Sequence, residues 1–133
     1  DQMLKGSRFI WYFWTQAKKA NWMETETEYV FNGEIQAFAQ VGPNISHNRT
    51  VRLSKVNNAL TIVDKVKNVK EKVWQLWHSN SLGLLDISAS IDDKSVLSKE
   101  IHSFYSSKYG LKIKSEGIKF IFDKVITTHI KPK

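Results

Sequence analysis

The chain lacks cysteine altogether and contains only two prolines and six glycines among its 133 residues. Without cysteine it can form no disulfide, no thiolate metal site and no thiol nucleophile. No apolar run approaches the ~20 residues that a membrane-spanning helix needs, and no signal-peptide pattern opens the chain. The sequence therefore predicts a domain stabilised by its own apolar core, with no membrane span.

What the chain does contain is apolar and aromatic residues in globular proportions, with an excess of positive charge. Hydrophobic residues make up 41% and aromatic residues 12%, and 20 Lys plus Arg stand against 13 Asp plus Glu, a net charge of +7. This length and composition are typical of a single folded domain, and the charge favours an anionic partner. Because no helix-turn-helix, zinc-finger or ribonucleoprotein motif is present, we expect no nucleic acid. An acidic polysaccharide suits the charge.

Short strand-like segments separated by turn residues run along the whole chain, and helical periodicity is weak. The aromatic run Arg8–Thr15 is typical of a strand buried on both sides, and Asn32-Gly33 indicates a hairpin turn. Ala17–Met23 and Ser98–Tyr105 are the segments that admit a helical alternative. This pattern predicts an all-β fold, an antiparallel two-layer β-sandwich, with residues 1–133 as one domain.

A charged pair on an otherwise apolar face marks the predicted hairpin that follows His47. If Asn57-Asn58 forms a two-residue loop, Val51 opposes Asp64, and Arg49 is the diagonal neighbour of Asp64 on the same face, about 7–8 Å away. Since an unpaired buried carboxylate is costly, the simplest interpretation is a structural ion pair between Arg49 and Asp64.

His47 lies one step beyond Arg49, at the start of the predicted strand. There an imidazole can face a cleft as acid, base or hydrogen-bond donor, or it can be a core histidine whose hydrogen bonds are satisfied. A zinc site formed by His47, Asp64 and His78 is chemically acceptable. In this register, however, His47 is about 13 Å from the point opposite Asp64. We therefore expect no metal and no cofactor, and we expect His78 to be buried beside Trp74.

Several short motifs, taken in order, carry a family resemblance. They are His47-x-Arg49-x-Val51, Leu60-x-Ile62-Val63-Asp64-x-Val66, Trp77-His78, Ser106-x-x-Tyr109-Gly110 and Thr127-Thr128. Over roughly residues 32–130 this order resembles the β-sheet domain of the heparinase II/III-like polysaccharide lyases. In that family an α/α toroid precedes a β-sandwich and supplies most of the chemistry. The resemblance implies the C-terminal fragment of a larger periplasmic or extracellular lyase, with the toroid upstream in the same chain.

The resemblance also implies a reaction and roles for three residues. The family cleaves acidic, uronate-containing polysaccharides by β-elimination, in which the C5 proton of a uronic acid is removed and the 4-linked oxygen leaves. His47 resembles the catalytic histidine that the sandwich contributes to the cleft, and Asp64 matches the aspartate of the family. Arg49 stands where metal-binding members have a second histidine. Because Arg does not ligate metals, the Arg49–Asp64 pair is expected to replace the metal.

The isolated domain is expected to form one wall of the cleft and to be inactive alone. One alternative is a non-catalytic carbohydrate-binding sandwich in which an exposed Trp22 stacks on sugar rings. Another is a purely structural module. The burial of the tryptophans discriminates between these interpretations, and we expect Trp74 or Trp77 to be part of the core.

Overall fold

The computed structural model describes residues 4–8, 10–79 and 81–133, and nearly all of its regular structure is β-strand. The strands are β1 (Leu4–Lys5), β2 (Trp11–Tyr12), β3 (Gln16–Glu24), β4 (Glu28–Gln36), β5 (Ser46–Ser54), β6 (Leu60–Lys67), β7 (Val73–Ser79), β8 (Leu85–Ile91), β9 (Lys94–Val96), β10 (Lys99–Tyr105), β11 (Ile113–Phe122) and β12 (Val125–Pro132). A 3-10 turn spans Leu82–Leu84. Within the described ranges there is no α-helix, and none that could cross a membrane.

Two antiparallel sheets account for most of the strands. The large sheet has the order β3-β4-β5-β6-β12-β8-β9 and the small sheet the order β10-β11-β7, while β1 and β2 pair separately. The buried core brings residues of both sheets together; it comprises Ile45, Val66, Ala89, Phe120, Phe122 and Ile126. These residues confirm the predicted all-β sandwich, and both segments with a helical alternative are strands.

The small sheet covers only the middle of the large one. Its core side chains Phe120 and Phe122 pack with residues of β6, β8 and β12. At one margin of the large sheet, every residue of β3 is exposed. A three-stranded layer is too narrow to cover seven strands spaced about 4.8 Å apart. One face of the large sheet is therefore buried in its centre and open towards β3.

The predicted hairpin turn at Asn32-Gly33 is wrong. Both residues lie inside β4, where Asn32 pairs with Asn21 on one side and Thr50 on the other. The actual turn precedes β4, where the backbone N–H of Glu28 donates to Oγ1 of Thr25. Packing explains the glycine at position 33 instead, because a Cβ there would lie 2.8 Å from Cε1 of Phe31.

The aromatic run Arg8–Thr15 is not a buried strand, which corrects a second prediction. Among the described residues of this run, the strand residues are Trp11 and Tyr12, which pair with β1 in a sheet of two strands. Their side chains are exposed, and Trp14 is 68% exposed; Phe9 lies outside the described residues. Apolar composition alone does not bury a strand, since a second layer must lie against it.

Candidate functional site

The β5–β6 hairpin has a register two residues away from the predicted one. Arg49 lies directly opposite Asp64, and His47 lies opposite Val66. The loop is longer than two residues, since the N–H of Ser54 bonds to the carbonyl of Ala59 across it. Because side chains alternate with a period of two, this shift leaves every residue on its predicted face. It brings Arg49 and His47 closer to Asp64 than the predicted register allowed.

Asp64 is the centre of the site and is 1% exposed. Arg49 binds it with two hydrogen bonds, from Nε to Oδ1 at 2.7 Å and from Nη2 to Oδ2 at 2.8 Å. Nε2 of His47 lies 2.8 Å from Oδ1, and Nε2 of Gln75 donates to Oδ2 at 2.7 Å. The ion pair expected between Arg49 and Asp64 is thus present, and each carboxylate oxygen has two hydrogen-bond partners.

Gln75 connects this cluster to both sheets. Its Oε1 accepts hydrogen bonds from Oγ1 of Thr128 at 2.7 Å and from Nε1 of Trp77 at 2.9 Å. Gln75 and Thr128 are buried, and the guanidinium carbon of Arg49 lies 5.5 Å from the centre of the Trp77 ring. Since β7 belongs to the small sheet and β12 to the large one, the polar network spans the core between them.

The network keeps Asp64 ionised. Burial by itself would raise the pKa of Asp64, but hydrogen bonds from Arg49 and His47, the charge of Arg49 and the hydrogen bond from Gln75 outweigh it. Together they hold the pKa of Asp64 well below its usual range. The hydrogen bond to Asp64 in turn raises the pKa of Arg49. At neutral pH the cluster is therefore an ion pair of Arg49 and Asp64, with the imidazole of His47 hydrogen-bonded to the carboxylate.

A cleft of about 450 Å³ opens onto this cluster. His47, Arg49, Asp64 and Gln75 are among its polar lining residues, and the charged residues Glu71 and Lys72 also line it. Its apolar wall includes Phe38, Val41, Ile45, Val66, Val73 and Phe122. β7 is an edge strand of the small sheet, so the cleft lies beside an open sheet margin. Both His47 and the partly exposed guanidinium of Arg49 can therefore meet a ligand.

His78 does not belong to this cluster and is exposed, which corrects the prediction that it is buried beside Trp74. On β7 the more buried positions are Val73, Gln75 and Trp77, whereas His78 and Trp74 are exposed on the other face. His78 is thus neither buried nor a partner of Asp64, because the strand alternation turns it away. Trp74 is 61% exposed, while Trp77 packs partly buried against the core, as expected for one of the two.

The residues present do not fit a metal ion. The predicted separation of about 13 Å is wrong, since Nε2 of His47 lies 2.8 Å from Oδ1 of Asp64. The obstacle is chemical instead: hydrogen-bond donors face both oxygens of Asp64, and one of these donors is the guanidinium of Arg49, which is permanently charged and has no lone pair to offer. Within the described part of the chain, no group of three His, Cys, Asp or Glu side chains could hold a metal.

Sequence reasoning missed the roles of Gln75 and Thr128. The available signal was a polar residue at an inward position of an otherwise apolar strand, as with Gln75 between Val73 and Trp77. A buried polar side chain needs hydrogen-bond partners. Such a position therefore predicts a network, although it does not say with which residues.

Comparisons with known proteins give a structural match. No protein-family model matches the chain, and no curated protein matches it either. A solved structure described as heparinase III, the BT4657 gene product with methylated lysines, matches with a TM-score of 0.67 and 16% sequence identity. The match covers 90% of this chain and 21% of that chain. This chain has the fold of part of a heparinase III. It spans about a fifth of the length of that protein, and at this identity the likeness concerns the fold alone.

Proposed function

We propose that this chain is the β-sandwich domain of a polysaccharide lyase that cleaves an acidic, uronate-containing polysaccharide by β-elimination. The observation that carries the proposal is the fold shared with heparinase III over 90% of the chain. Two further features support it: the net charge of +7 suits an anionic polymer, and a cleft in this fold holds His47 and Arg49. A polysaccharide substrate would place the protein in the periplasm or outside the cell.

The site has the groups for part of this reaction. In β-elimination a base takes the C5 proton, the electron pair forms the C4=C5 double bond, and the C4–O bond breaks as the leaving oxygen gains a proton. We assign His47 as the group of this domain that faces the sugar in the cleft. There it transfers a proton to or from the sugar or forms a hydrogen bond with it. Arg49, whose side chain is 40% exposed, is placed to pair with an anionic group of the substrate.

The rest of the machinery is assigned to the upstream α/α toroid of the same chain. No tyrosine is among the residues that line the described cleft, and His47 is its one histidine. A proton abstracted from C5 and a proton delivered to the leaving oxygen need two suitably placed groups. The domain is therefore proposed to form one wall of the cleft and to be inactive alone, with the Arg49–Asp64 pair in place of a metal.

The test is an assay of the full-length parent protein on a panel of acidic polysaccharides, following the ultraviolet absorbance of the unsaturated uronate product. We expect His47→Ala to abolish product formation. The matched control is His102→Ala, an exposed histidine on β10 outside the cleft, which should keep full activity. Wild-type activity in His47→Ala would exclude the role of His47, and product from the isolated domain would refute the proposed division of labour.

A specific observation favours a second candidate, a non-catalytic carbohydrate-binding module. Trp22 is 65% exposed, and its ring stacks on Tyr29 with centroids 5.7 Å apart. Nζ of Lys55 lies 4.4 Å from the centre of the Tyr29 ring. This arrangement holds a flat apolar surface open to solvent, with a cation nearby, which suits stacking on a sugar ring.

Binding measurements on the same polysaccharide panel distinguish the two candidates. If the parent protein binds a polymer, releases no unsaturated product and loses binding in Trp22→Ala, the binding module is the better description. Phe104→Ala is the matched control, since Phe104 is 55% exposed on β10, outside the cleft, and has Nζ of Lys112 3.9 Å from the centre of its ring. Product formation that survives Trp22→Ala supports the lyase instead.

A further inference from the structure

The hydrogen bonds around Asp64 have a direction that can be followed from one donor to the next. A tryptophan indole N–H can only donate, and a carboxylate can only accept. Nε1 of Trp77 donates to Oε1 of Gln75 at 2.9 Å, so this atom of Gln75 is the oxygen. The amide nitrogen of Gln75 must then face Asp64, to which it donates at 2.7 Å. The orientation of the Gln75 side-chain amide, that is, which end is oxygen and which is nitrogen, is therefore set by its hydrogen-bond partners.

The same reasoning continues from Asp64 to His47. The carboxylate is held ionised by the guanidinium of Arg49, so it has no proton to give. The nitrogen that faces it, Nε2 of His47 at 2.8 Å, must therefore carry the hydrogen. In a neutral imidazole one nitrogen is a donor and the other an acceptor. Nδ1 is then left with a lone pair, and among the described residues no hydrogen-bond donor is assigned to it.

We propose that Asp64 and Gln75 are positioning residues that hold His47 as its Nε2–H tautomer, with Nδ1 as the atom available to a ligand in the cleft. Arg49 and Trp77 set the polarity of the network because neither can accept a hydrogen bond, and Thr128 adds a second donor to Gln75. That Nδ1 acts on a sugar rests on the proposed function. The tautomer does not, since it follows from the protein groups alone.

The test is long-range proton–nitrogen NMR of the histidine rings in the 15N-labelled chain, which contains its own core between two sheets. It is recorded without ligand at a pH where the rings are neutral. We expect His47 to show a protonated Nε2 and an unprotonated Nδ1 as a single tautomer. We also expect a downfield Nε2–H proton protected from exchange with water. The exposed His102 serves as an internal reference for a ring in fast tautomeric exchange.

Two variants and one control test whether Asp64 and Gln75 fix the tautomer of His47. Asp64→Asn replaces an acceptor by an amide that can turn its NH₂ towards the ring, so we expect loss of the single Nε2–H tautomer and of the protected proton. Asp86→Asn, at an exposed aspartate paired with Lys131 on the surface, should leave the His47 signals unchanged. Thr128→Val changes little volume but removes a donor from Gln75, and we expect faster exchange of the Nε2–H proton.

The wild-type spectrum decides the inference even if a variant fails to fold. A His47 ring protonated at Nδ1, or averaged between tautomers, would overturn it whether or not the parent protein is a lyase. An unchanged tautomer and an unchanged protected proton in folded Asp64→Asn would remove the positioning role of Asp64. If the ring is Nε2–H and the parent shows no lyase activity, this inference stands and the proposed function alone fails.

Discussion

Two regions on one face of the large sheet differ in what lies over them. Arg49 and Asp64 share this face with Trp22, because Trp22 pairs with Phe31, Phe31 with Val51, and Val51 lies two residues along β5 from Arg49. The small sheet covers Asp64, which is 1% exposed, whereas Trp22 is 65% exposed. Strand alternation is the same in both regions. Burial therefore depends on the second layer and not on the hydrophobic character of the residue.

Polar groups beneath the small sheet need hydrogen-bond partners within the protein, whereas polar groups in the open region do not. Under the small sheet a charged group remains only because each oxygen of Asp64 has two hydrogen-bond partners. In the open region, polar groups need no such network, since water satisfies them. Lys55 there bonds to Glu24 and lies over the ring of Tyr29, while Glu24 remains largely exposed.

Disrupting the packing of the small sheet against the large one should have the largest effect on stability. Phe120→Ala deletes a ring of the small sheet that is 1% exposed, and we expect a loss of about 3–5 kcal/mol in the free energy of unfolding. Urea denaturation measures it. Trp74→Ala, on the outer face of the same sheet, should cost less than about 1 kcal/mol; equal losses would contradict the view that only the inner face is packed.

Removing the charge partner should come next. Arg49→Ala leaves Asp64 buried with His47 and Gln75 as its remaining partners, and breaking such a pair costs about 3 kcal/mol or more. Arg52→Ala is the matched control on the same strand, because Arg52 makes an exposed ion pair with Glu28, a kind worth about 0–1 kcal/mol. Equal losses of stability in the two variants would show that the Arg49–Asp64 pair contributes no more than an exposed ion pair.

Acid should lower the stability of the protein in part through Asp64 in the covered region. The pKa of Asp64 is lowered in the folded state, so its contribution is fully present above the unfolded value of about 3.9 and is lost as pH falls towards the folded value. One such proton changes the unfolding free energy by at most about 1.4 kcal/mol per pH unit. Denaturation series below pH 4 should show a smaller slope for Asp64→Asn than for the wild type, and equal slopes would rule out this linkage.

The smallest effect is expected in the open region. Trp22→Ala removes a side chain that lies mostly in water, so stability should change by no more than about 0.5 kcal/mol. Thermal denaturation beside the wild type checks this value. A loss as large as that of Arg49→Ala would mean that another part of the protein covers this surface.

Much of the site followed from the alternation of side chains. That alternation put Arg49, Asp64 and His47 on one face, and an error of two residues in the register left the faces unchanged. The register itself was missed because the loop after Ser54 is longer than two residues, with Asn58 at a φ of +55°. Turn geometry depends on backbone conformation that asparagine tolerates in several loop types.

The sequence by itself determined the all-β class, the face on which each strand residue lies, and the pairing of a guanidinium with a carboxylate across one hairpin. These are local properties, set by the period of the strand and the cost of an unpaired charge. Tertiary structure alone decided that Gln75 meets Thr128, 53 residues away, and that Trp11, Trp14 and Trp74 stay exposed. A pattern shows which way a side chain points, but only the packing of a second layer shows what it meets there.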